Sequence, residues 1–258
     1  TRYSDIVMRC WNRSGHGNLN VTEAITHSCN YFFYEMGYRF GQSGDPESGT
    51  DFNLANERMR EYADLYGLTE KSGIEIEESA PQFSLVNPSQ SAIGQGEHNY
   101  TTVGLARYVA TVANSGTCYN LSLLDKVTDR SGNLLKDFSP EVRNTIEMPT
   151  SYWDAIHRGM RGVVEAKKYF VDSGIIAAGK TGTAEESKTR PPHAVFVGYA
   201  PFDKPEIALA TRIGNGYSSD YAAQISCKVM QYYFNPEKEE EIISGTANHL
   251  EAVTSAGD

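Results

Sequence analysis

The sequence predicts an α+β fold, with helices in its first half and an antiparallel sheet flanked by helices in its second half. Apolar side chains recur at helical spacing through much of the first 114 residues. After residue 116, two pairs of short apolar runs are joined by turn residues, a pattern typical of antiparallel hairpins. Strands and helices do not alternate regularly, so we do not expect a doubly wound α/β fold.

The first predicted helix spans residues 20–41, where six apolar side chains share helical spacing. Asn20 and Glu23 match a capping box, and Gly41 is a natural stop. Three further helices are predicted over residues 53–66, 101–114 and 152–165.

Two hairpins and a closing helix are predicted in the second half. The turn of the first hairpin is Arg-Ser-Gly-Asn at residues 130–133, and that of the second is Asp-Lys-Pro-Glu at residues 203–206. Residues 218–234 are predicted to form the closing helix. The polar, Gly- and Pro-bearing residues 41–51 are expected to be a surface loop.

The composition indicates a globular protein and argues against a nucleic-acid partner. Hydrophobic residues make up 40% and charged residues 22% of the 258 positions, which is ordinary for a globular domain. The formal net charge is −10, whereas neutralising phosphates requires a basic face. No apolar run has the length of a membrane span. The chain starts at Thr1 without an initiator Met, so we expect a fragment or processed product from which an upstream anchor could have been lost.

Residues 180–183, Lys-Thr-Gly-Thr, follow a small apolar run that is typical of a buried strand. Lys180 offers an ammonium group, Thr181 and Thr183 offer hydroxyls, and Gly182 allows another backbone to approach closely. A strand with these groups can hold a substrate carboxylate and present backbone N–H groups to an oxyanion. Taken alone, the same residues are also typical of a surface turn.

Ser28 and Asn30 are polar residues inside the apolar helix predicted for residues 20–41. Such residues cap helices, so we expect one of them to break the helix and start its second half. A residue at a helix break can also project its side chain into a cleft. The structural and the functional interpretation are compatible, and the residues alone do not separate them.

Two motifs and several flanking segments resemble a known family. Residues 28–30 match the S-x-N signature and residues 180–182 match the K-T-G signature of penicillin-interacting serine enzymes. The stretches GHGNLNVT, YADLYGLTEKSGIEIEESA, SAIGQG and AVFVGYAP are similar to segments of class B penicillin-binding proteins, and the first leans towards the elongation type. The resemblance covers about residues 5–235 and implies a transpeptidase domain of the serine β-lactamase-like fold. It assigns residues 1–236 to the C-terminal portion of that domain. Residues 237–258 are acidic and weakly patterned, so we expect them to form a tail.

The third signature of the family, S-x-x-K, is missing. No serine is followed by a lysine three positions later, and the nearest cases are Ser226 with Lys228 and Ser122 with Lys126. In the family S-x-x-K precedes S-x-N, and only 27 residues precede Ser28. We therefore expect the nucleophile and its lysine to lie upstream of this chain, and the chain to be inactive on its own.

The resemblance implies acyl transfer through a serine acyl-enzyme that cross-links peptidoglycan stem peptides and is blocked by β-lactams. Lys180 would supply positive potential, Ser28 would join a proton relay, and Asn30 would bind the amide of the donor peptide. Thr181 and Thr183 would bind the substrate carboxylate, and the Thr183 N–H would be one oxyanion donor. The expected catalytic residues are Ser28, Asn30 and Lys180, and the expected substrate-binding residues are Thr181, Gly182 and Thr183.

The resemblance also implies a location and partners. We expect a domain on the outer side of the cell membrane, held by an anchor outside this chain, which works with proteins of the cell-wall elongation complex and needs no cofactor. Two alternatives stay open, a β-lactam-sensing receptor domain of the same fold and a catalytically inactive scaffold of a wall-synthesis complex. Glu97, beside the Gly-Gln-Gly turn, is interpreted as a surface residue and not as a base for hydrolysis, which favours a transpeptidase over a β-lactamase.

Four potential metal ligands, Cys10, His16, His27 and Cys29, lie within twenty residues around the S-x-N motif. Their spacing does not match a zinc knuckle, so the metal signal is weak. Free thiols, a Cys10–Cys29 disulfide and a zinc site all stay open. The other two cysteines are predicted core residues: Cys118 and Cys227.

Overall fold

A computed structural model describes residues 7–44, 49–187 and 189–243. It confirms the α+β prediction, because helices dominate up to residue 113 and an antiparallel sheet packed between helices follows. The helices are α1 (Val21–Thr26), α2 (Asn30–Phe40), α3 (Phe52–Leu65), α4 (Pro88–Ser91), α5 (Thr102–Ala113), α6 (Thr150–Glu165), α7 (Lys168–Ser173), α8 (Ser219–Phe234) and α9 (Glu239–Ile243). The strands are β1 (Thr117–Asn120), β2 (Lys126–Thr128), β3 (Leu134–Asp137), β4 (Glu141–Thr145), β5 (Ala178–Ala184), β6 (His193–Ala200) and β7 (Ile207–Ile213).

The central sheet has the strand order β5-β6-β7, and both of its strand pairs are antiparallel. Helix α8 covers one face, where Phe196 and Met230 are buried in one apolar cluster. Helices α5 and α6 cover the other face, where Val109 and Met160 are buried in a second cluster. The sheet is therefore the middle layer, and β5, which carries Lys180, lies at its edge.

Helix α1 is held beside the sheet through α6. The Thr26 hydroxyl donates to the Gly159 carbonyl of α6 at 3.1 Å. A Cβ on Gly159 would lie only 2.8 Å from the Cβ of Ile25, so the missing side chain allows α1 to pack closely. Helix α6 also packs against β5, and Arg161 Nη1 donates to the Ala177 carbonyl just before that strand at 2.9 Å. These contacts bring the end of α1 towards β5.

The helix predicted for residues 20–41 is present as two helices, α1 and α2. The predicted capping box is confirmed, because Glu23 N donates to Asn20 Oδ1 at 3.0 Å and Asn20 N donates to Glu23 Oε2 at 2.9 Å. The predicted stop at Gly41 is also confirmed.

The break inside this segment is confirmed, but the predicted cap is wrong. Neither Ser28 nor Asn30 caps the second half. The N-cap position of α2 is Cys29, whose side chain makes no capping hydrogen bond. The break instead follows from the backbone of the turn that ends α1.

The other predicted helices are confirmed within two residues as α3, α5, α6 and α8, and the two predicted hairpins as β2–β3 and β6–β7. Sequence reasoning missed the pair β1–β4 and the short helices α4 and α7. The predicted core residues Cys118 and Cys227 are buried. In the predicted loop, the described residues 41–44 and 49–51 contain no helix or strand beyond the end of α2, and residues 45–48 lie outside the described ranges.

The acidic segment predicted as a tail begins with ordered structure. Residues Pro236–Lys238 form a 3₁₀ turn, α9 follows, and Ile242 is buried. Residues 244–258 lie outside the described part of the chain, so the tail stays a prediction there. Among the helices in the described ranges, none is long and apolar enough to cross a membrane.

Candidate active site

The structure brings together two residues whose motifs lie far apart in the sequence, Lys180 and Ser28. Lys180 Nζ donates a hydrogen bond to Ser28 Oγ across 152 positions of sequence. The same ammonium group donates to the Thr181 carbonyl at 2.9 Å. A serine hydroxyl that accepts a hydrogen bond still has its own proton to donate. The pair therefore has the arrangement of a two-membered proton relay.

Ser28 lies in the turn that ends α1. Its φ is +48°, in the left-handed region that favours glycine. Ser28 N donates to the Ile25 carbonyl at 3.2 Å, and Cys29 N donates to the Ala24 carbonyl at 3.0 Å. These two hydrogen bonds form a Schellman motif in which glycine usually takes the position of Ser28. A serine in this conformation costs about 1 kcal/mol of backbone strain, and it presents its hydroxyl at a sharp corner.

Asn30 is the first residue of α2 and lies on the same turn as Ser28. Its amide donates to the Arg9 carbonyl at 3.5 Å, which is a long hydrogen bond. Asn30 is therefore only two residues from Ser28 in the sequence, but its amide is oriented towards the segment before α1.

Strand β5 separates the other candidate side chains onto two faces. Side chains alternate along a strand, so Lys180 and Gly182 share one face while Thr181 and Thr183 share the opposite face. Thr181 is only 9% exposed. The two threonines therefore flank the Ser28–Lys180 pair along the strand without lying on its side of the sheet.

Gln95 reaches this strand, and sequence reasoning missed it. Its side-chain amide donates to the Thr183 carbonyl at 3.5 Å. The loop that carries Gln95 is fixed by His98, whose Nδ1 accepts from Ser84 N at 3.1 Å. Burial lowers the pKa of His98, against an opposing hydrogen bond with the Ser91 backbone, so the ring stays neutral near pH 7 and keeps this acceptor. The Gly-Gln-Gly pattern around Gln95 was the available sequence signal.

Trp11 is a second residue that sequence reasoning missed. Its indole Nε1–H donates to the carbonyls of His27 at 3.1 Å and Ser28 at 3.2 Å. Trp11 is one of two tryptophans in the chain and is 41% exposed in a segment without helix or strand. Its exposure is visible only in the structure, so no local sequence pattern marked Trp11 as part of the site.

Three of the four candidate metal ligands meet behind the Ser28 turn. The ligand atoms of Cys10, His16 and Cys29 lie within 4.8 Å of one another, and Cys10 Sγ is 3.7 Å from His16 Nδ1. His27 is not in this group, because its ring stacks on that of His16 with 5.8 Å between the centroids. Burial raises the pKa of the Cys29 thiol, and the nearby Cys10 adds to this increase. Both cysteines are free thiols, so the disulfide alternative is not formed in this structure.

Two surface concavities lie away from the Ser28–Lys180 pair. One of about 530 Å³ lies beside Trp153, and another of about 870 Å³ runs along α8. Neither is lined by a residue of the S-x-N or K-T-G motif. Glu97 is exposed, as its interpretation as a surface residue predicts.

The chain matches a family model described as the penicillin binding protein transpeptidase domain over residues 1–231. It is 28% identical over 264 residues to the peptidoglycan D,D-transpeptidase MrdA of Haemophilus influenzae, which covers 88% of this chain and 38% of that protein. It is 26% identical over 255 residues to penicillin-binding protein 2B of Streptococcus pneumoniae, which covers 86% of this chain and 37% of that protein. The chain therefore spans less than two fifths of the length of these curated relatives.

Solved structures share its fold. PBP2 of Pseudomonas aeruginosa is 27% identical with a TM-score of 0.72, covering 89% of this chain and 52% of that one. Penicillin-binding protein A of M. tuberculosis, solved as an imipenem acyl-enzyme complex, is 21% identical with a TM-score of 0.75 and covers 90% of this chain and 52% of its own. A chain of a peptidoglycan synthase complex is 24% identical with a TM-score of 0.71, covering 90% of this chain and 40% of that one. The last two structures are less than 25% identical to this chain, so they show only that the fold is shared.

Proposed function

Because this chain belongs to the penicillin binding protein transpeptidase domain family, we propose that it forms part of a serine D,D-transpeptidase that cross-links the peptides of peptidoglycan. The observation that carries the proposal is the hydrogen bond from Lys180 to Ser28, which joins the K-T-G and S-x-N signatures. A relative of this chain is named as a peptidoglycan D,D-transpeptidase, which agrees with the proposal.

The proposed reaction has two steps. A serine hydroxyl attacks the carbonyl carbon of an amide near the end of the donor peptide, the C–N bond breaks, and the departing amine takes up the proton. An amine of a second peptide then attacks the ester, which forms the new amide and returns the proton to the serine. The sequence contains no S-x-x-K, so we propose that this serine lies on a segment outside these 258 residues. The longer protein is the form that includes this segment.

Ser28 and Lys180 act on the proton in this scheme. The Ser28 hydroxyl accepts from Lys180 and can donate its own proton to the departing amine. The charge of Lys180 attracts an anionic peptide and disfavours protonation of any second lysine nearby.

The other candidate residues bind the substrate. Asn30 exchanges its long hydrogen bond with the Arg9 carbonyl for one with the donor peptide. Because β5 is the edge strand of its sheet, a peptide lying along that edge can contact side chains of both faces. Thr181 and Thr183 bind the peptide carboxylate there, Gly182 leaves room for the peptide backbone, and the Thr183 N–H is an oxyanion donor. The burial of the Thr181 side chain argues that Thr183 contributes more of the carboxylate binding.

The proposed partners are peptidoglycan stem peptides, β-lactams and other proteins of wall synthesis, among them those of the elongation complex. Support comes from the curated relatives, since one is named as a peptidoglycan D,D-transpeptidase and another as a penicillin-binding protein. The substrate lies outside the cell membrane, so we propose that the domain works there on an anchor supplied by the longer protein.

Labelling of the longer protein with a fluorescent penicillin tests this function. We expect covalent labelling of the longer protein and none of the 258-residue chain alone. Lys180→Ala should slow acylation by roughly 100-fold or more, which is the range for losing one proton-transfer group. Lys204→Ala is the control, because this exposed lysine lies in the β6–β7 turn.

The outcomes separate the alternatives. A folded longer protein that takes no label at saturating drug contradicts the proposal and favours a catalytically inactive scaffold. A protein that takes the label but does not join a donor peptide to an amine acceptor favours the β-lactam-sensing receptor.

We also propose that Cys10, His16 and Cys29 bind a zinc ion. Two thiolates and one imidazole are ligands that zinc prefers, and their spread of 4.8 Å suits a tetrahedral ion with one further ligand. His16 Nε2 is buried without a hydrogen-bond partner in the described structure, which leaves ring capacity for a ligand bond.

Zinc analysis of the purified chain tests this site. We expect about one equivalent of zinc, and its loss in Cys29→Ser. Cys227→Ser is the matched control, because Cys227 is equally buried and lies outside the cluster. Less than about a tenth of an equivalent in the wild type would contradict the zinc site and favour free thiols.

A further inference from the structure

In the turn that carries Ser28, two backbone carbonyls accept hydrogen bonds from outside both neighbouring helices. The Schellman hydrogen bonds occupy the carbonyls of Ala24 and Ile25, and the hydrogen bonds of α2 begin at the carbonyl of Cys29. Of the three carbonyls in between, those of His27 and Ser28 accept from the Trp11 indole N–H. One donor therefore bridges the two peptide groups that define the turn.

The indole ring is itself held in place by neighbouring rings. The Trp11 ring meets the His16 ring edge-on, with 5.1 Å between centroids and an angle of 64° between planes. The His16 ring stacks on His27 at 5.8 Å and 20°. Because His27 belongs to the turn and Trp11 to the segment before α1, this stack fixes the direction of the indole N–H.

We propose that Trp11 is a positioning residue for Ser28, an inference that rests on the proposed function. A serine with φ of +48° is strained relative to glycine, so the turn needs support outside its own hydrogen bonds. The indole N–H supplies this support and keeps Ser28 Oγ at Lys180 Nζ. Trp11 itself touches no reacting atom in this scheme and acts through the backbone of Ser28.

The first test uses the 258-residue chain and needs no catalysis. We expect the Trp11 indole N–H to exchange with solvent at least about tenfold more slowly than a free indole, because it is hydrogen-bonded although the side chain is 41% exposed. In Trp11→Phe, which removes the N–H and keeps a ring, the carbon chemical shifts of Ser28 should lose their left-handed signature. Indole exchange at the free rate, or unchanged Ser28 shifts in Trp11→Phe, would overturn the inference.

The second test uses acylation of the longer protein by a penicillin. Trp11→Phe should lower the acylation rate constant at saturating drug by about tenfold and change the dissociation constant of the drug by less than twofold. Trp153→Phe is the control, since the other tryptophan is buried in α6 and should affect thermal stability more than this rate constant. An acylation rate constant that Trp11→Phe leaves unchanged would overturn the inference. Failure of the wild type to acylate would contradict the proposed function instead, and the first test would still decide the role of Trp11 in the turn.

Discussion

Ser28 keeps a hydroxyl at a turn position that glycine usually fills. Glycine there would relieve the backbone but would remove the hydroxyl that accepts a hydrogen bond from Lys180. Departures from local preference of this kind are expected where a side chain is needed for function. The Schellman hydrogen bonds and the Trp11 contacts explain how the chain tolerates the strain.

Gly179 shows the opposite case, a glycine that packing requires. A Cβ on Gly179 would overlap the Phe196 ring and lie 2.8 Å from the Val197 carbonyl oxygen. We expect Gly179→Ala to lower the free energy of unfolding by about 1–3 kcal/mol, as measured by urea denaturation. Gly182→Ala is the matched control on the same strand, since its Cβ would meet the Cβ of Val195 at an ordinary 3.8 Å. An equal loss in both variants would show that strand backbone, and not the Phe196 contact, sets the cost.

At the scale of elements, the packing of α1 on α6 decides whether Ser28 can reach Lys180. Helix α6 contacts both α1 and β5, so it sets the distance between the turn and the strand. The contact is close because Gly159 has no side chain against Ile25.

Gly159→Ala tests this packing through the sign of its effect. Helix propensity alone predicts that the change stabilises α6 by about 1 kcal/mol. A Cβ at 2.8 Å from the Cβ of Ile25 predicts the reverse, a loss of about 1–2 kcal/mol in the free energy of unfolding. We expect the loss, measured by urea unfolding, together with slower penicillin acylation of the longer protein. A more stable variant would contradict the close packing of α1 on α6.

Elements with strong local signals could be predicted from the sequence, and those that depend on distant contacts could not. Helices α3 and α5 have clear apolar periodicity and a side-chain cap, and they appear within one residue of their predicted bounds. The pair β1–β4 was missed because its strands have four and five residues and β4 is largely exposed, so neither shows clean alternation. The two strands are also separated in the sequence by the β2–β3 hairpin, and no local pattern indicates that they pair across it.

The site follows the same division. The residues alone favoured a surface turn for Lys180 and a helix cap for Ser28, and the family resemblance brought the two motifs together. The contact between them depends on α1, α6 and β5 packing in one order, which is a property of the tertiary structure. Trp11 and Gln95 were missed for the same reason, because both act through backbone carbonyls of residues that lie far away in the sequence or across a turn.

At the scale of the whole molecule, acid should destabilise the fold in two ranges of pH, one set by His98 and a lower one set by hydrogen-bonded carboxylates. Glu78 is buried, which raises its pKa, but hydrogen bonds from Thr101 and Ser72 outweigh this and lower the pKa below its ordinary value of 4.5. Burial also raises the pKa of Asp220, but the hydrogen bond from Lys167 outweighs this and lowers the pKa below its ordinary value of 3.8. The stabilisation from these carboxylates is present above their unfolded pKa values and is lost as the pH falls through the lowered ones.

His98 should act at higher pH than the carboxylates. Burial lowers its pKa below the ordinary value of 6.5, so the unfolded chain takes up this proton before the folded chain does. Above pH 6.5 the ring is neutral in both the folded and the unfolded chain, so its titration does not affect stability. Below pH 6.5 the free energy of unfolding falls as the pH drops towards the lowered pKa of the folded state. We expect the free energy of unfolding, measured with urea between pH 8 and pH 5, to fall by at most about 1.4 kcal/mol per pH unit from this group.

His98→Gln, which keeps a hydrogen-bond acceptor for Ser84 N but cannot titrate, should have a smaller slope in that range. Glu78→Gln should change the slope only below about pH 5. If His98→Gln had the same slope as the wild type between pH 7 and pH 5, the Gln95 loop would not be fixed by a neutral imidazole.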